Sequence, residues 1–222
     1  MPMNCRMRPL FSKSCRYYSW RLLLLAVLSF SFFNQTVCAD EAVMTRVLHQ
    51  QVTPASFDMC HSGGCADVSH VALSPVEWQQ VLASFQPLPQ TAEQERQCIA
   101  QAVGVLETLV GAKTATSTDK AGTFGNAAYP GQLDCNDEAI NTSNYLKLLQ
   151  QAGVLRFHTL IDIHRRGYFV RGWPHSTAAI QEMASGERYA VDSWFYDNGA
   201  PAQVVPMDIW KAGWKPADAT AR

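Results

Sequence analysis

The chain has 222 residues, 47% hydrophobic and 17% charged, with a formal net charge of −1 at pH 7. That composition gives room for a proper core. No basic run exceeds His164-Arg165-Arg166, which argues against nucleic acid or an anionic membrane surface as partner.

Arg6, Arg8, Lys13, Arg16 and Arg21 precede an apolar run from Leu22 to Phe33, and Val37-Cys38-Ala39 supplies small residues for cleavage. The run is shorter than the roughly 20 helical residues a bilayer requires, and its flanks are those of a signal peptide. The expectation is a signal over residues 1–39 removed on export, with a retained anchor as the competing reading. Cys38 makes a poor lipoprotein site because Val37 precedes it. Taking those 39 residues and five basic groups from the whole leaves 183 residues and 13 basic groups against 19 acidic ones, a net of −6. Such a chain is one ordinary domain, periplasmic or secreted, with no membrane span after cleavage. Its cysteines, Cys60, Cys65, Cys98 and Cys135, then sit in an oxidising compartment where a disulfide is the plain expectation.

Residues 40–90 read as an N-terminal extension. Val43, Val47 and Leu48 suggest one short helix in an otherwise loose segment. Cys60-His61-Ser62-Gly63-Gly64-Cys65 follows, with His70 five residues on. Two glycines let the chain fold back so that the thiols meet, and a local Cys60–Cys65 disulfide is the first reading. The second is a metal site using Cys60, Cys65 and one or both of His61 and His70, although zinc spacings call for a distant second pair that is absent. Ser74-Pro75-Val76-Glu77 combines a cap, a proline at the first helical position and a capping-box glutamate. It predicts a helix to about Phe85, stopped by Pro87 and Pro89.

The core is expected over residues 91–222. The capping pattern at Thr91 and Gln94 starts the longest helix. Ile99, Ala102, Val103, Leu106, Leu109 and Val110 form its apolar stripe, with Cys98 as an inert packed thiol at the edge. From Gly111 to Gly131 the chain is polar and glycine-rich; so long a stretch is either functional or loose. The next helix opens at Leu133-Asp134-Cys135-Asn136-Asp137-Glu138. Asp134 caps it, Asp137 and Glu138 suit its positive end, and Gly153 stops it. Strands are expected over residues 154–163, 167–171, 176–182, 188–193 and 203–205, with Ala184-Ser185-Gly186 as a three-residue hairpin loop and a closing helix over residues 207–214. Helices first and an antiparallel sheet afterwards predict an α+β fold, helices packed on the sheet.

Cysteine attacks as the thiolate. The helix N-terminus favours that form at Cys135, whereas Asp134, Asp137 and Glu138 oppose it, so a histidine partner is required. His49, His61 and His70 precede the thiol; His158 and His164 read as satisfied structural histidines of the first strand. His175, in Trp173-Pro174-His175-Ser176-Thr177, starts a strand, and the hairpin returns the aspartate of Val191-Asp192-Ser193-Trp194 toward it. A base held by a third group is the general logic of an activated nucleophile. The blander readings are a Cys98–Cys135 disulfide or a buried thiol, a histidine bonded to backbone at a strand edge, and Asp192 as a turn acceptor. Trp173, Trp194, Trp210 and Trp214 read as core or cleft wall.

The order of Cys at a helix start, His entering a strand and Asp on the next strand resembles the transglutaminase-like branch of the papain-type thiol enzymes. Asp134-Cys135-Asn136-Asp137-Glu138 resembles bacterial peptidases of that branch. Asp192-Ser193-Trp194 is similar to the Asn-Ser-Trp of papain-type enzymes, with aspartate for asparagine. The resemblance spans roughly residues 91–214. It implies a papain/transglutaminase-like fold with Cys135 as nucleophile, His175 as base then acid, Asp192 as the orienting residue and no cofactor. It also implies a thioester on Cys135, resolved by water or an amine, and a peptide or peptidoglycan-like substrate. The oxyanion donors it implies are the Cys135 N–H and an upstream side chain, Gln132 or Tyr129.

One expectation runs against Asp192. A three-residue loop pairs Met183 with Glu187 and places Ala178 opposite Asp192, leaving His175 about 10 Å further along the strand and on the other face. Asp197 would share the face of His175 and is the runner-up acid; a bulge or a wider loop brings Asp192 back. The rival from another class is a non-catalytic exported binding or assembly factor, metal-binding through Cys60, Cys65 and His70.

Overall fold

The computed structural model describes residues 41–123, 130–167 and 174–218. The expected signal over 1–39, most of the 167–171 strand, Tyr129 and Trp173 lie outside them. No helix among the described residues is long and apolar enough to cross a membrane.

The first element is a helix, α1, over residues 41–48. Strands β1 (Phe57–His61) and β2 (Asp67–Val71) then form an antiparallel hairpin, with Phe57 across from Val71 and His61 across from Asp67. This hairpin is not among the expected elements. Its strands have five residues each, and the apolar positions Phe57, Met59 and Val71 are too few to set up a visible alternation. Helix α2 (Pro75–Ala83) starts where its capping box predicts, Glu77 N donating to Ser74 Oγ and Ser74 N to Glu77 Oε2. Helix α3 (Ala92–Thr114) starts at Thr91, whose Oγ1 accepts Gln94 N, and absorbs the first residues of the stretch expected to be irregular.

Helix α4 (Cys135–Gln151) is followed by β3 (His158–Arg166), β4 (His175–Glu182), β5 (Arg188–Asp192), β6 (Gln203–Pro206) and the short α5 (Met207–Lys211). The last four strands form one sheet in the order β3-β4-β5-β6, every neighbour antiparallel. The fold is α+β, as expected. The strand expected from residue 154 begins only at His158, because the N–H groups of Arg156, Phe157 and His158 all donate to the buried carboxylate of Glu95 on α3. His158 Nδ1 meets the same carboxylate at 2.9 Å, so this histidine is structural. Burial alone would raise the Glu95 pKa, but His158 and the three N–H groups outweigh it and hold the carboxyl below its ordinary range.

Helices α3 and α4 pack Ile99, Leu106, Leu146 and Leu149 against Ala178, Ile180 and Val191 on one face of the sheet. On the other face Trp210 and Met207 cover Ala179, Ala190 and Val205. The centre of the sheet is therefore buried on both sides, which alanines at 178, 179 and 190 permit by letting the layers approach closely. Helix α4 is buried nearly all round. Its asparagines serve the N-terminal segment: Asn141 accepts from Cys60 N and donates to Cys60 O, and Asn144 donates to Val47 O. Each bond satisfies a buried polar group, so residues 42–71 are tied into the same body as the sheet.

Candidate active site

Asp134 caps α4, its Oδ1 accepting Asn136 N and Asp137 N at 2.9 Å each, so the first residue of the helix is Cys135. The residue is 7% exposed, and its sulfur faces the backbone N–H of Ser176 and its own N–H. Burial pushes the Cys135 thiol up to about 12; the Ser176 N–H opposes this, while the charges of Asp134 and Asp192 add to it. Asp137 and Glu138, expected to act against the thiolate as well, point elsewhere. Asp137 accepts from the loop at residues 62–65, and Glu138 Oε2 accepts from Ser193 Oγ at 2.5 Å.

His175 opens β4, and Nε2 of its ring meets Asp192 Oδ2 at 2.7 Å. The expected hairpin register is wrong by one residue. Glu182 and Glu187 close a four-residue loop, with Glu182 N donating to Glu187 O and Gly186 N to Glu182 O. Ala178 therefore pairs with Val191 instead of Asp192. Extending that register sets Thr177 across from Asp192, two residues from His175 and on the same face. The one-residue change in loop length carries Asp192 to the imidazole.

With Nε2 engaged, Nδ1 of His175 is left buried and without a hydrogen-bond partner among the described residues. No hydrogen bond joins it to Cys135, whose sulfur lies at the N–H of the next residue along the strand. A carboxylate only accepts, so the proton of a neutral ring sits on Nε2 and Nδ1 carries the lone pair. The ring is walled by Trp194, Phe195 and Trp210, with centroids 4.7, 5.3 and 5.6 Å away.

Two supporting contacts were not legible as such. Trp210 Nε1 donates to Asp192 Oδ2 at 2.7 Å, and Arg166 holds the indole by donating to Trp210 O and stacking 4.3 Å over its ring. From the sequence Trp210 reads as core or cleft wall. The usable signal is that a fully buried indole N–H requires an acceptor. Ser193, next to Asp192, ties β5 to α4 through Glu138 and Thr142. On the neighbouring strand, Ser176 Oγ donates to Asn136 Oδ1 at 2.9 Å.

The Cys60–Cys65 disulfide forms, and Cys98 and Cys135 are free thiols. This overturns the competing Cys98–Cys135 pairing. It also removes both sulfurs from the alternative metal site, since a bonded sulfur is no thiolate ligand. His70 pairs with Asp58 at 2.9 Å and His61 with Ser69. Among the described residues no group of three or more His, Cys, Asp and Glu is placed to hold a metal.

Gln132, a candidate oxyanion donor, uses its side chain to lace residues 118–123, accepting Lys120 N and donating to Thr118 O. Tyr129 lies outside the described residues. Asp197 sits at the surface, where it accepts from Lys120 Nζ and Ala121 N. Behind α4, Glu107, Glu138, Asn141 and Tyr145 border a cavity with room for about one water. Burial pushes Glu107 up to about 8, Glu138 well up and nearby Asp119 up to about 7; the Asp119 charge adds to the rise at both glutamates, and the Glu107 charge adds to that at Glu138. No family model matches the chain, and neither does any curated protein or solved structure.

Proposed function

We propose that this protein is an exported thiol hydrolase or acyltransferase acting on amide bonds of peptides or cell-wall material, on a papain/transglutaminase-like fold. The observation that carries this reading is the His175 ring. One nitrogen is bonded to Asp192, the other is buried and open, and the Cys135 sulfur lies at the next backbone N–H. In this reading Nδ1 takes the thiol proton as sulfur attacks the amide carbon. The carbon–nitrogen bond breaks and His175 returns the proton to the departing amine, leaving a thioester. Water or an amine then attacks that thioester, giving a proton to His175, and the released sulfur takes it back. Asp192 keeps the ring in the tautomer that makes Nδ1 the base and steadies the imidazolium. The Cys135 N–H supplies one oxyanion donor.

A second reading, a non-catalytic binding factor, draws on the burial of the thiol and the missing bond between Cys135 and His175. Alkylation separates them. A thiol-directed electrophile labels wild type at Cys135 at neutral pH, faster than at Cys98, and His175→Ala slows that labelling. Equal labelling of wild type and Cys135→Ala sinks the enzymatic reading.

A further inference from the structure

The loop joining β1 to β2 turns its backbone toward the thiol-bearing end of α4. Four consecutive residues have positive φ: Ser62 at 69°, Gly63 at 85°, Gly64 at 61° and Cys65 at 60°. Two of them are not glycine, and ordinary side chains seldom occupy this region. A run of this kind turns successive N–H groups inward and makes a concave donor for anions. Here the anions belong to the chain itself. Gly63 N donates to Asp137 Oδ2 at 2.7 Å, Cys65 N to Asp137 Oδ1 at 2.6 Å and Gly64 N to Asp134 Oδ2 at 3.0 Å. Ser62 N completes the set by donating to Gln132 O at 2.9 Å. The Cys60–Cys65 bond closes the loop, and Asn141 holds Cys60 from a later turn of α4 through both of its amide atoms.

We infer that this disulfide-closed loop is a positioning element of the thiol site, holding the start of α4 in place through Asp134 and Asp137 and offsetting the charge of the Asp134 carboxylate beside Cys135. The inference rests on the thiol reading above. Asp134 and Asp137 stand one residue before and two after the sulfur, and Asp134 is among the charges that oppose its ionisation. The Gly64 N–H aimed at Asp134 offsets that charge where a thiolate would feel it, while the Gly63 and Cys65 N–H groups fasten Asp137 to the loop. The same bonds fix the N-cap, hence the direction in which the first helical side chain leaves the backbone. Ordering the site thereby becomes conditional on an oxidised Cys60–Cys65 pair.

The test compares wild type with Cys60→Ala/Cys65→Ala and with Gly64→Val. Alkylation by iodoacetamide is followed at the Cys135 peptide by mass spectrometry across neutral and alkaline pH. Gly64→Val keeps the disulfide and meets open space at its first side-chain carbon, but a β-branched residue resists the left-handed conformation. It carries the decision if the double variant does not melt cooperatively. The expected result is labelling about ten-fold slower at pH 7, with the midpoint of the pH profile about one unit higher. Adding Asp134→Asn to Gly64→Val should recover part of the lost rate, which a purely structural role would not do. Unchanged rate and midpoint in a cooperatively melting variant, or no recovery with Asp134→Asn, overturns the inference. Wild type failing to label at Cys135 defeats the thiol reading instead, so the two failures are distinct.

Discussion

Asp192 Oδ2 accepts from two donors at once, His175 Nε2 and Trp210 Nε1, each at 2.7 Å. The indole thus holds the carboxylate that holds the imidazole, and Arg166 holds the indole. Replacing Trp210 with Phe keeps most of the apolar volume and removes the N–H. A hydrogen bond to a charged acceptor contributes about 1.5–3 kcal/mol, so alkylation of Cys135 should slow roughly ten-fold. The melting midpoint should fall by only a few degrees, since the ring remains in the core. A wild-type alkylation rate would show that Asp192 is held without the indole.

Asp192→Asn should be more severe than its size suggests. The amide can present N–H to His175, which turns the ring to the tautomer with its proton on Nδ1 and removes the base. Cys135 alkylation at neutral pH is expected to drop about a hundred-fold or more. Asp197→Asn is the matched control: it alters contacts to Lys120 and Ala121 and should leave the rate within about two-fold. Equal effects of the two substitutions would place the orienting acid elsewhere.

The acids behind α4 predict an unusual pH dependence of stability. Burial raises Glu107 to about 8 and Asp119 to about 7, so the folded chain keeps protons that the unfolded chain loses above about 4. Their contribution is complete below that pH and is lost as pH rises through 7 and 8. Glu95, whose pKa folding lowers, acts oppositely and only in the acid range. The melting midpoint should therefore fall between about pH 5 and 8 and level off above, with a slope of up to about 1.4 kcal/mol per pH unit for each proton retained. Glu107→Gln should flatten that slope. Thermal melts of both proteins at several pH values decide it, and parallel curves would remove Glu107 as the source.

Glu95 provides a prediction remote from the thiol. Its carboxylate accepts from three backbone N–H groups and from His158, all at the point where β3 begins. Glu95→Ala leaves those buried donors unpaired and should cost about 3–5 kcal/mol. That corresponds to a melting midpoint lower by roughly 10 °C. A change of only a few degrees would mean that water or a local shift satisfies the donors.

The helices were readable because their signals are local. Ser74 with Glu77 and Asp134 with Asp137 are capping pairs three residues apart, and each begins a helix in the structure. A hydrogen bond spanning one turn of backbone needs nothing from the rest of the chain. The Cys60–Cys65 disulfide was readable for the same reason, since a six-residue stretch with two glycines brings the sulfurs together. The β1–β2 hairpin, the late start of β3 and the role of Trp210 were not, because each depends on a partner distant in sequence.

The clearest case is Asp192. Its type and order after His175 are plain in the chain, yet the expected loop pointed it to the wrong face. Side chains alternate along a strand, so one extra residue in the turn reverses every assignment beyond it. The amino-acid order thus specifies helix starts and the local disulfide, since these rest on interactions within a few residues, and it names the candidate site residues by type. The pairing of His175 with Asp192 is a matter of tertiary packing: a four-residue turn that sets the register of β5 on β4, and a tryptophan brought back from α5 to close over the carboxylate.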